Sequence, residues 1–241
     1  MNTRKWLNVL VAGCLSMILI VSGCASKTPQ TVTETPNKTA EQEQNESTET
    51  VDHSATKART VITTDGEVDD MNSVIRFLLY SNERDLAGIV LTSSVYHYAG
   101  DEEAGIKPFR WTGTQWVYDM IDAYGEIYPN LSKHAEGYPE PEQLRKMTKI
   151  GNISDKGEME KETEGSEFLQ TLFLDDDSRD LIVQTWGGTN TTARALKSIE
   201  EQYKGTSEWE TIRKKVSDKL VLYIILDQDD SYNDYIAKKL A

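Results

Sequence analysis

Cysteine, positive charge and long apolar runs are all scarce in this chain. The 241 residues include two cysteines, Cys14 and Cys24, and both lie near the amino terminus, so no disulfide framework is expected in the rest of the chain. Acidic residues outnumber basic ones by 40 to 26, which gives a formal net charge of −14. Because this charge repels phosphate backbones and anionic lipids, we exclude nucleic acid as an expected partner.

Acidic side chains are themselves absent from the amino terminus, where no Asp or Glu precedes Cys24. Arg4 and Lys5 stand before a mostly apolar run over 6–21, which is too short and too one-sided for a stable membrane span and is typical of a secretion signal. The run ends in Val-Ser-Gly-Cys, which resembles the lipobox of bacterial lipoproteins, where the cysteine becomes the lipidated first residue. We therefore expect a lipoprotein signal peptide at 1–23, a lipidated Cys24 and an extracytoplasmic protein anchored to a bacterial membrane. An ordinary signal peptide with an incidental cysteine is the alternative.

The segment after Cys24 lacks the residues that build a core. Residues 25–58 contain no aromatic residue and no Leu, Ile or Met. Such a stretch cannot bury enough apolar surface to offset the entropy of ordering it. We therefore predict a disordered tether over 24–58 that holds a folded domain, residues 59–241, away from the membrane.

From residue 59 onward the composition is that of a folded domain, and roughly 180 residues are enough for one core. Apolar and β-branched runs predict four strands, at 60–64, 86–92, 181–185 and 220–226. Patterns typical of helices lie between them, at 70–82, 115–124, 141–147, 166–174 and 189–203. The alternation predicts an α/β fold with a mostly parallel sheet and helices on both faces.

Polar residues follow each predicted strand, and the carboxyl ends of parallel strands meet at one edge of a sheet, where such folds bind ligands. These polar segments are 65–70, 92–98, 185–190 and 227–230. The first is the most informative, because it places Asp65, Glu67, Asp69 and Asp70 on one turn. Crowded carboxylates stay ionised together when a hard cation with oxygen ligands lies between them. A solvated acidic turn that caps the next helix is the alternative.

Two other segments have structural explanations. Gly187-Gly188 with Thr189 forms a turn and an N-cap, and it lacks the lysine pattern of a phosphate loop. The acidic segment 227–230 lacks the glycine and the distal glutamate of an EF-hand. Neither segment is assigned to a metal or phosphate site.

Several ordered blocks of the chain resemble the nucleoside hydrolases. The segment 64–70 reads Thr-Asp-Gly-Glu-Val-Asp-Asp and is similar to their Asp-x-Asp-Pro-Gly-x-Asp-Asp signature, and 185–190 resembles their second block. The similarity is greatest to the nucleoside-hydrolase-like domain of secreted bacterial proteins often labelled cellulose-binding. That group shares Asn72-Ser73 and Arg76 after the motif and the stretch 130–139. The chain is identified as a member over about residues 59–241, apparently truncated, since it stops soon after its fourth predicted strand.

This resemblance implies a Rossmann-like fold, incomplete at its carboxyl terminus, that hydrolyses N-glycosidic bonds of a nucleoside or related sugar. It implies Ca²⁺ as cofactor, bound by Asp65, Asp70 and the main-chain carbonyl of Thr185. Asp65 would also act as the general base, and Asp69 would hold a ribose hydroxyl. A divalent cation of this kind orients the water and the sugar hydroxyls and lowers the pKa of the water.

Four further residues lie after the other predicted strands and complete the expected substrate-binding set: Ser94, His97, Trp186 and Asn190. His97 is either an acid for the leaving group or a packed histidine between two tyrosines. Trp186 stands beside the proposed site and is a better stacking candidate than Trp116, which lies in a predicted helix.

The chain departs from the nucleoside hydrolase pattern at three points. Thr63 replaces the first Asp of the signature, and Glu67 adds a carboxylate that is either an extra ligand or an outer-shell group. A further calcium-binding Asp of the family has no candidate before Ala241, so weak or absent hydrolysis is expected of this chain. The alternative function is a non-catalytic surface lipoprotein that binds a carbohydrate or nucleoside. A haloacid-dehalogenase phosphatase is discounted, because its nucleophilic Asp would fall on Thr63.

Overall fold

A computed structural model describes residues 57–239 of the chain. The predicted signal peptide, the lipidated Cys24 and all but the last two residues of the predicted tether lie outside the described residues. The described part contains one five-stranded sheet in the order β3-β2-β1-β4-β5, and all of its strand pairs are parallel. The strands are β1 (Arg59–Thr64), β2 (Asp85–Leu91), β3 (Thr148–Ile150), β4 (Leu181–Thr185) and β5 (Leu220–Ile224).

Helices connect these strands, as expected of an α/β fold. They are α1 (Val68–Leu79), α2 (Gln115–His134), α3 (Pro141–Met147), α4 (Glu164–Leu174), α5 (Asn190–Tyr203) and α6 (Trp209–Lys219). A 3₁₀ turn at Ser81–Glu83 precedes β2, and a π-helical turn at Tyr232–Ile236 leads into the short α7 (Ala237–Lys239). No helix among residues 57–239 combines the length and apolar character needed to cross a membrane.

The sheet separates two hydrophobic cores, because successive strand residues point to opposite faces. Val61 of β1 belongs to the core that contains Leu169 and Phe173 of α4, whereas the neighbouring Ile62 belongs to the core that contains Val117 and Ile121 of α2. Every residue of β1 is buried, as expected for the central strand of a sheet covered on both faces. The predicted fold class, with a parallel sheet and helices on both faces, is therefore confirmed.

Strand β5 lies at one edge of the sheet and is less buried than its sequence predicted. Leu220 and Leu222 pack against the first core, while Val221 and Tyr223 on the opposite face are 43% and 60% exposed. The apolar run at 220–226 predicts a buried strand, because hydrophobicity alone does not tell which face of an edge strand is covered. Among the described residues, no helix packs over the Val221 and Tyr223 side.

Candidate functional site

In the acidic loop after β1, only Gly66 separates Asp65 from Glu67. Gly66 has a φ of 80°, which L side chains rarely adopt, and a Cβ atom there would lie 2.7 Å from Trp116 Nε1. The backbone N–H of Glu67 then donates to Asp65 Oδ1 at 2.9 Å. Asp65 is 2% exposed, and its Oδ2 is buried without a hydrogen-bond partner. The central strand therefore ends in a fixed carboxylate that has one free, desolvated oxygen.

Asp70 lies directly behind this carboxylate. Its Oδ2 accepts hydrogen bonds from Thr64 Oγ1 at 2.8 Å and from the backbone N–H of Asp65 at 2.9 Å. Burial, followed by the negative charge of Asp65, raises the pKa of Asp70 from 3.8 to about 7. Two buried acidic groups side by side favour a cation, because a cation removes the repulsion that raises this pKa.

The raised pKa of Asp70 predicts a pH dependence of stability with a defined sign. Because the folded protein binds this proton more tightly than the unfolded chain, the stabilisation is present below about pH 4 and is lost as the pH rises through about 7. In protein treated with a chelator, we expect the melting temperature to fall between about pH 4 and pH 7, and Asp70→Asn to flatten that fall. A profile that Asp70→Asn leaves unchanged would show that Asp70 has an ordinary pKa.

His97 lies in the loop after β2, close to Asp65 and Glu67. Ser94 shapes this loop, because its Oγ accepts from the backbone N–H groups of Tyr96 and His97, and its own N–H donates to the His97 carbonyl at 2.9 Å. His97 is 5% exposed, its Nδ1 has no hydrogen-bond partner, and that atom lies 4.0 Å from Glu67 Oε1. Asp65, Glu67 and His97, the acidic–histidine cluster, each offer a ligand atom within 4.8 Å of the others.

The segment that follows β4 contacts the acidic loop at Gly187. A Cβ atom at Gly187 would lie 2.8 Å from the Cβ of Asp65, so glycine is required for this close approach. The carbonyl of Thr185, the expected main-chain calcium ligand, accepts a hydrogen bond from the N–H of Ile225 at 3.1 Å. Thr185 therefore continues the pairing of β4 with β5, and one of the two lone pairs of its carbonyl is already used.

Asn190, a predicted substrate contact, is held by several buried hydrogen bonds. It is fully buried, its Oδ1 accepts from Thr92 Oγ1 at 2.5 Å, and its Nδ2 donates to Ser93 Oγ and to the Asn152 carbonyl, each at 2.9 Å. Ser94 is also fully buried and is used by the turn that positions His97. The hydrogen bonds of both residues connect the ends of neighbouring strands, and their role in substrate binding stays a prediction.

The acidic segment 227–230 caps a helix. Asp229 Oδ2 accepts from the backbone N–H of Asn190, the first residue of α5, at 2.9 Å, and its Oδ1 accepts from Thr189 Oγ1 at 3.0 Å. A carboxylate at this end of a helix is stabilised by the helix dipole.

An open cleft of about 610 Å³ lies beside Asp70, between α1 and the β4–β5 side of the sheet. Asp69, Asp70, Trp186 and Gln228 line the end of the cleft near the acidic loop. Trp186 packs edge-to-face against Phe77, with ring centroids 5.8 Å apart. Asp69 and Trp186 therefore line the cleft, whereas Asp65 and His97 belong to the acidic–histidine cluster.

Sequence reasoning left the roles of Glu67 and Phe77 undefined. Glu67 is separated from Asp65 only by a glycine, a spacing that indicates a tight turn, but its proximity to His97 depends on a second loop. Phe77 has the spacing of a helical core residue, and nothing in the sequence shows that it supports Trp186.

The fold and the site define a parallel α/β domain with an acidic site at the carboxyl end of its central strand. A family model described as "Cellulose-binding Sde182, nucleoside hydrolase-like domain" matches residues 59–240. The chain belongs to this nucleoside hydrolase-like family, which confirms the resemblance inferred from its motifs.

One solved structure extends this comparison. It is described as a nucleoside hydrolase-related hypothetical protein from Saccharophagus degradans that is associated with carbohydrate metabolism. It matches with 30% sequence identity and a TM-score of 0.61 over 73% of this chain. The match spans 40% of that protein's chain. No curated protein matches the chain.

Proposed function

We propose that this domain is an extracytoplasmic hydrolase of N-glycosidic bonds that acts on a nucleoside or related sugar with the help of a divalent cation. One observation carries the proposal: the central strand β1 ends in Asp65, whose Oδ2 is buried and has no hydrogen-bond partner. A buried polar atom without a partner is rare in folded proteins, and a bound ion or a catalytic role is one explanation of it. Membership of the nucleoside hydrolase-like family supports this choice of reaction.

The family resemblance implies calcium, and the donor chemistry fits a divalent cation in part. Asp65 supplies a free oxygen and Asp70 a second buried carboxylate, but the Thr185 carbonyl already accepts from Ile225. When bound, the cation would lower the pKa of a water molecule and orient the sugar hydroxyls. Asp65, Asp70 and Thr185 remain the residues expected to hold it.

Four residues have separate roles in the proposed reaction. Asp65 accepts the proton of the attacking water as the water oxygen bonds to the anomeric carbon and the bond to the leaving nitrogen breaks, through a transition state like an oxocarbenium ion. Asp69 is exposed at the cleft and accepts a hydrogen bond from a sugar hydroxyl. Trp186 offers its ring to the substrate, and His97 is the candidate acid that protonates the leaving group.

A non-catalytic sugar-binding role is the second candidate, and the cleft itself favours it. Phe77, Trp186 and Tyr223 place aromatic rings along its wall, next to polar groups from Asp69 and Gln228. Aromatic faces combined with hydrogen-bonding groups are suited to sugar rings. The family description as cellulose-binding points the same way.

A paired assay separates the two functions. The full chain is incubated with purine and pyrimidine nucleosides in the presence of Ca²⁺ or Zn²⁺, and release of free base is measured. Binding of cello-oligosaccharides is measured in parallel by calorimetry. Base release supports the hydrolase, oligosaccharide binding without base release supports the binding module, and the absence of both contradicts both proposals.

The location of the protein is tested at Cys24. The lipobox-like segment before Cys24 is the reason to propose an extracytoplasmic protein anchored to a bacterial membrane. We expect the wild-type chain in a bacterial host to fractionate with membranes and to incorporate labelled fatty acid, and we expect Cys24→Ser to lose the label. Unlabelled wild-type protein in the cytosol would contradict the anchor.

A further inference from the structure

We infer that the acidic–histidine cluster of Asp65, Glu67 and His97 binds a divalent transition metal such as Zn²⁺ in preference to Ca²⁺. This inference deepens the proposed function, since both place a cation at Asp65. It differs in the ligands, because it assigns Glu67 and His97 in place of an all-oxygen set and makes His97 a metal ligand instead of the acid for the leaving group. It therefore changes which ion the protein selects.

Two residues of this cluster have buried atoms without hydrogen-bond partners. Asp65 Oδ2 and His97 Nδ1 are both buried and have no hydrogen-bond partner, and their residues are 2% and 5% exposed. Leaving either atom unpaired in a protein interior costs about 1–3 kcal/mol. A metal ion that accepts an electron pair from each atom would remove both costs at once.

The geometry is close to that of a metal site. The ligand atoms of the three residues lie within 4.8 Å of one another, and His97 Nδ1 is 4.0 Å from Glu67 Oε1. Donor atoms around tetrahedral zinc are roughly 3.3 Å apart, as follows from metal–ligand bonds of about 2.0–2.2 Å. Metal binding therefore requires the three side chains to move closer together, and Glu67, which is half-buried, is the least enclosed of them.

An imidazole among the ligands argues against calcium. Ca²⁺ takes six to eight oxygen ligands, whereas imidazole nitrogen is a preferred ligand of zinc and other transition metals. Two carboxylates and one imidazole leave at least one position for water, as catalytic zinc sites do. The cluster therefore has the composition of a catalytic transition-metal site.

The backbone contacts around the cluster order the two loops that carry its residues. Gly66 and the hydrogen bond from the Glu67 N–H to Asp65 Oδ1 set the first loop. Ser94 sets the second loop by accepting from the His97 N–H at 3.3 Å. Such preorganisation lowers the entropic cost of binding.

Arg110 is the competing cation at this position. Its Nη1 lies 3.8 Å from Glu67 Oε1, but its side chain is 61% exposed and stacks on Phe109. An exposed ion pair of this kind contributes little, so a bound metal can replace it. Arg110 has no contact of this kind with Asp65 or His97 among the described residues.

Titration of the full chain with metal ions tests the inference. The protein is stripped with a chelator, and binding of ZnCl₂ and CaCl₂ is measured separately by calorimetry, with the histidine ring signals followed by NMR. The chain has three histidines, so His97→Gln identifies the His97 signals. We expect one Zn²⁺ to bind more tightly than Ca²⁺ and to shift the His97 ring signals.

Two variants and one control make the result specific. Since loss of even an outer-shell partner weakens metal binding by about 10–100-fold, His97→Gln and Glu67→Gln should each weaken Zn²⁺ binding at least that much. His134→Gln, at the exposed end of α2, should leave it unchanged. Ca²⁺ affinity should change little in His97→Gln. Glu67→Gln keeps the test decisive if His97→Gln does not fold.

The outcomes separate this inference from the proposed function. Tighter binding of Ca²⁺ than Zn²⁺, Zn²⁺ binding that both variants leave intact, or no binding of either ion would overturn the inference. Base release with Ca²⁺ that persists in Glu67→Gln, without tight Zn²⁺ binding by the wild-type chain, would leave the hydrolase proposal standing without this metal site. Zn²⁺ binding with the expected losses, together with no base release, would support the metal site and contradict the hydrolase.

Discussion

Asp65→Asn is expected to abolish release of free base from any nucleoside that the wild-type chain cleaves. A general base contributes a factor of about 10²–10⁴ to the rate, and Asp65 also has the free oxygen expected to contact the cation, so the loss should reach or exceed this range. The amide keeps an oxygen that can accept from the Glu67 N–H, as Oδ1 does at 2.9 Å, so the loop should stay intact. Initial rates of base release, measured with saturating cation, report the effect.

The matched control is Asp218→Asn. Asp218 is an exposed residue of α6 that pairs with Lys214, far along the chain from the acidic loop, and its loss should leave the rate unchanged. Equal melting temperatures of the two variants would show that Asp65→Asn acts on chemistry. Retention of more than about a tenth of the wild-type rate by Asp65→Asn would remove Asp65 from the role of general base.

Asn190→Ala is expected to cause a large loss of stability. The substitution removes the hydrogen bonds to Thr92, Ser93 and Asn152, and it leaves their polar groups buried. At about 1 kcal/mol or more for each lost partner, the free energy of unfolding should fall by about 3 kcal/mol or more. In a domain of roughly 180 residues, this loss lowers the melting temperature by about 6–12 °C, which calorimetry measures directly.

Asn233→Ala provides the comparison for Asn190→Ala. Asn233 is exposed, and the contact it makes is donated by its backbone N–H to Asp227, which alanine retains. Its stability should change by no more than about 0.5 kcal/mol. If Asn190→Ala melted like Asn233→Ala but lost affinity for ligand, Asn190 would be a direct contact, as its position after the third predicted strand first implied.

The central strands could be predicted from sequence because their patterns are unambiguous. The run at 181–185 and the helix at 141–147 have the predicted bounds, the latter because Pro141 marks its first turn. Strand β3 was missed, since its three residues, Thr-Lys-Ile, are too few to show a pattern. Helix α6 was missed because it is strongly charged and buries only Val216 and Lys219.

The acidic site was predicted less completely than the strands. The sequence indicates that Asp65 and His97 follow two apolar strands, and the parallel pairing of Thr64 with Leu91 makes those strand ends level. Whether a polar side chain then faces the cleft or the interior depends on tertiary hydrogen bonds. Asn190 faces the interior because Ser93 and Asn152 surround it, and no local pattern encodes that arrangement.

The exposed face of β5 makes protein concentration a variable in every assay of this chain. Val221 and Tyr223 are exposed side chains on an edge strand, and Ile225 and Leu226, which follow it, are 59% and 57% exposed. An apolar edge of this kind is a template for strand addition, through which one molecule extends the sheet of another. Each binding measurement should therefore be repeated at several protein concentrations. Natural proteins protect such edges with lysine, so Val221→Lys, outside the cleft, is the solubilising substitution that this sheet permits.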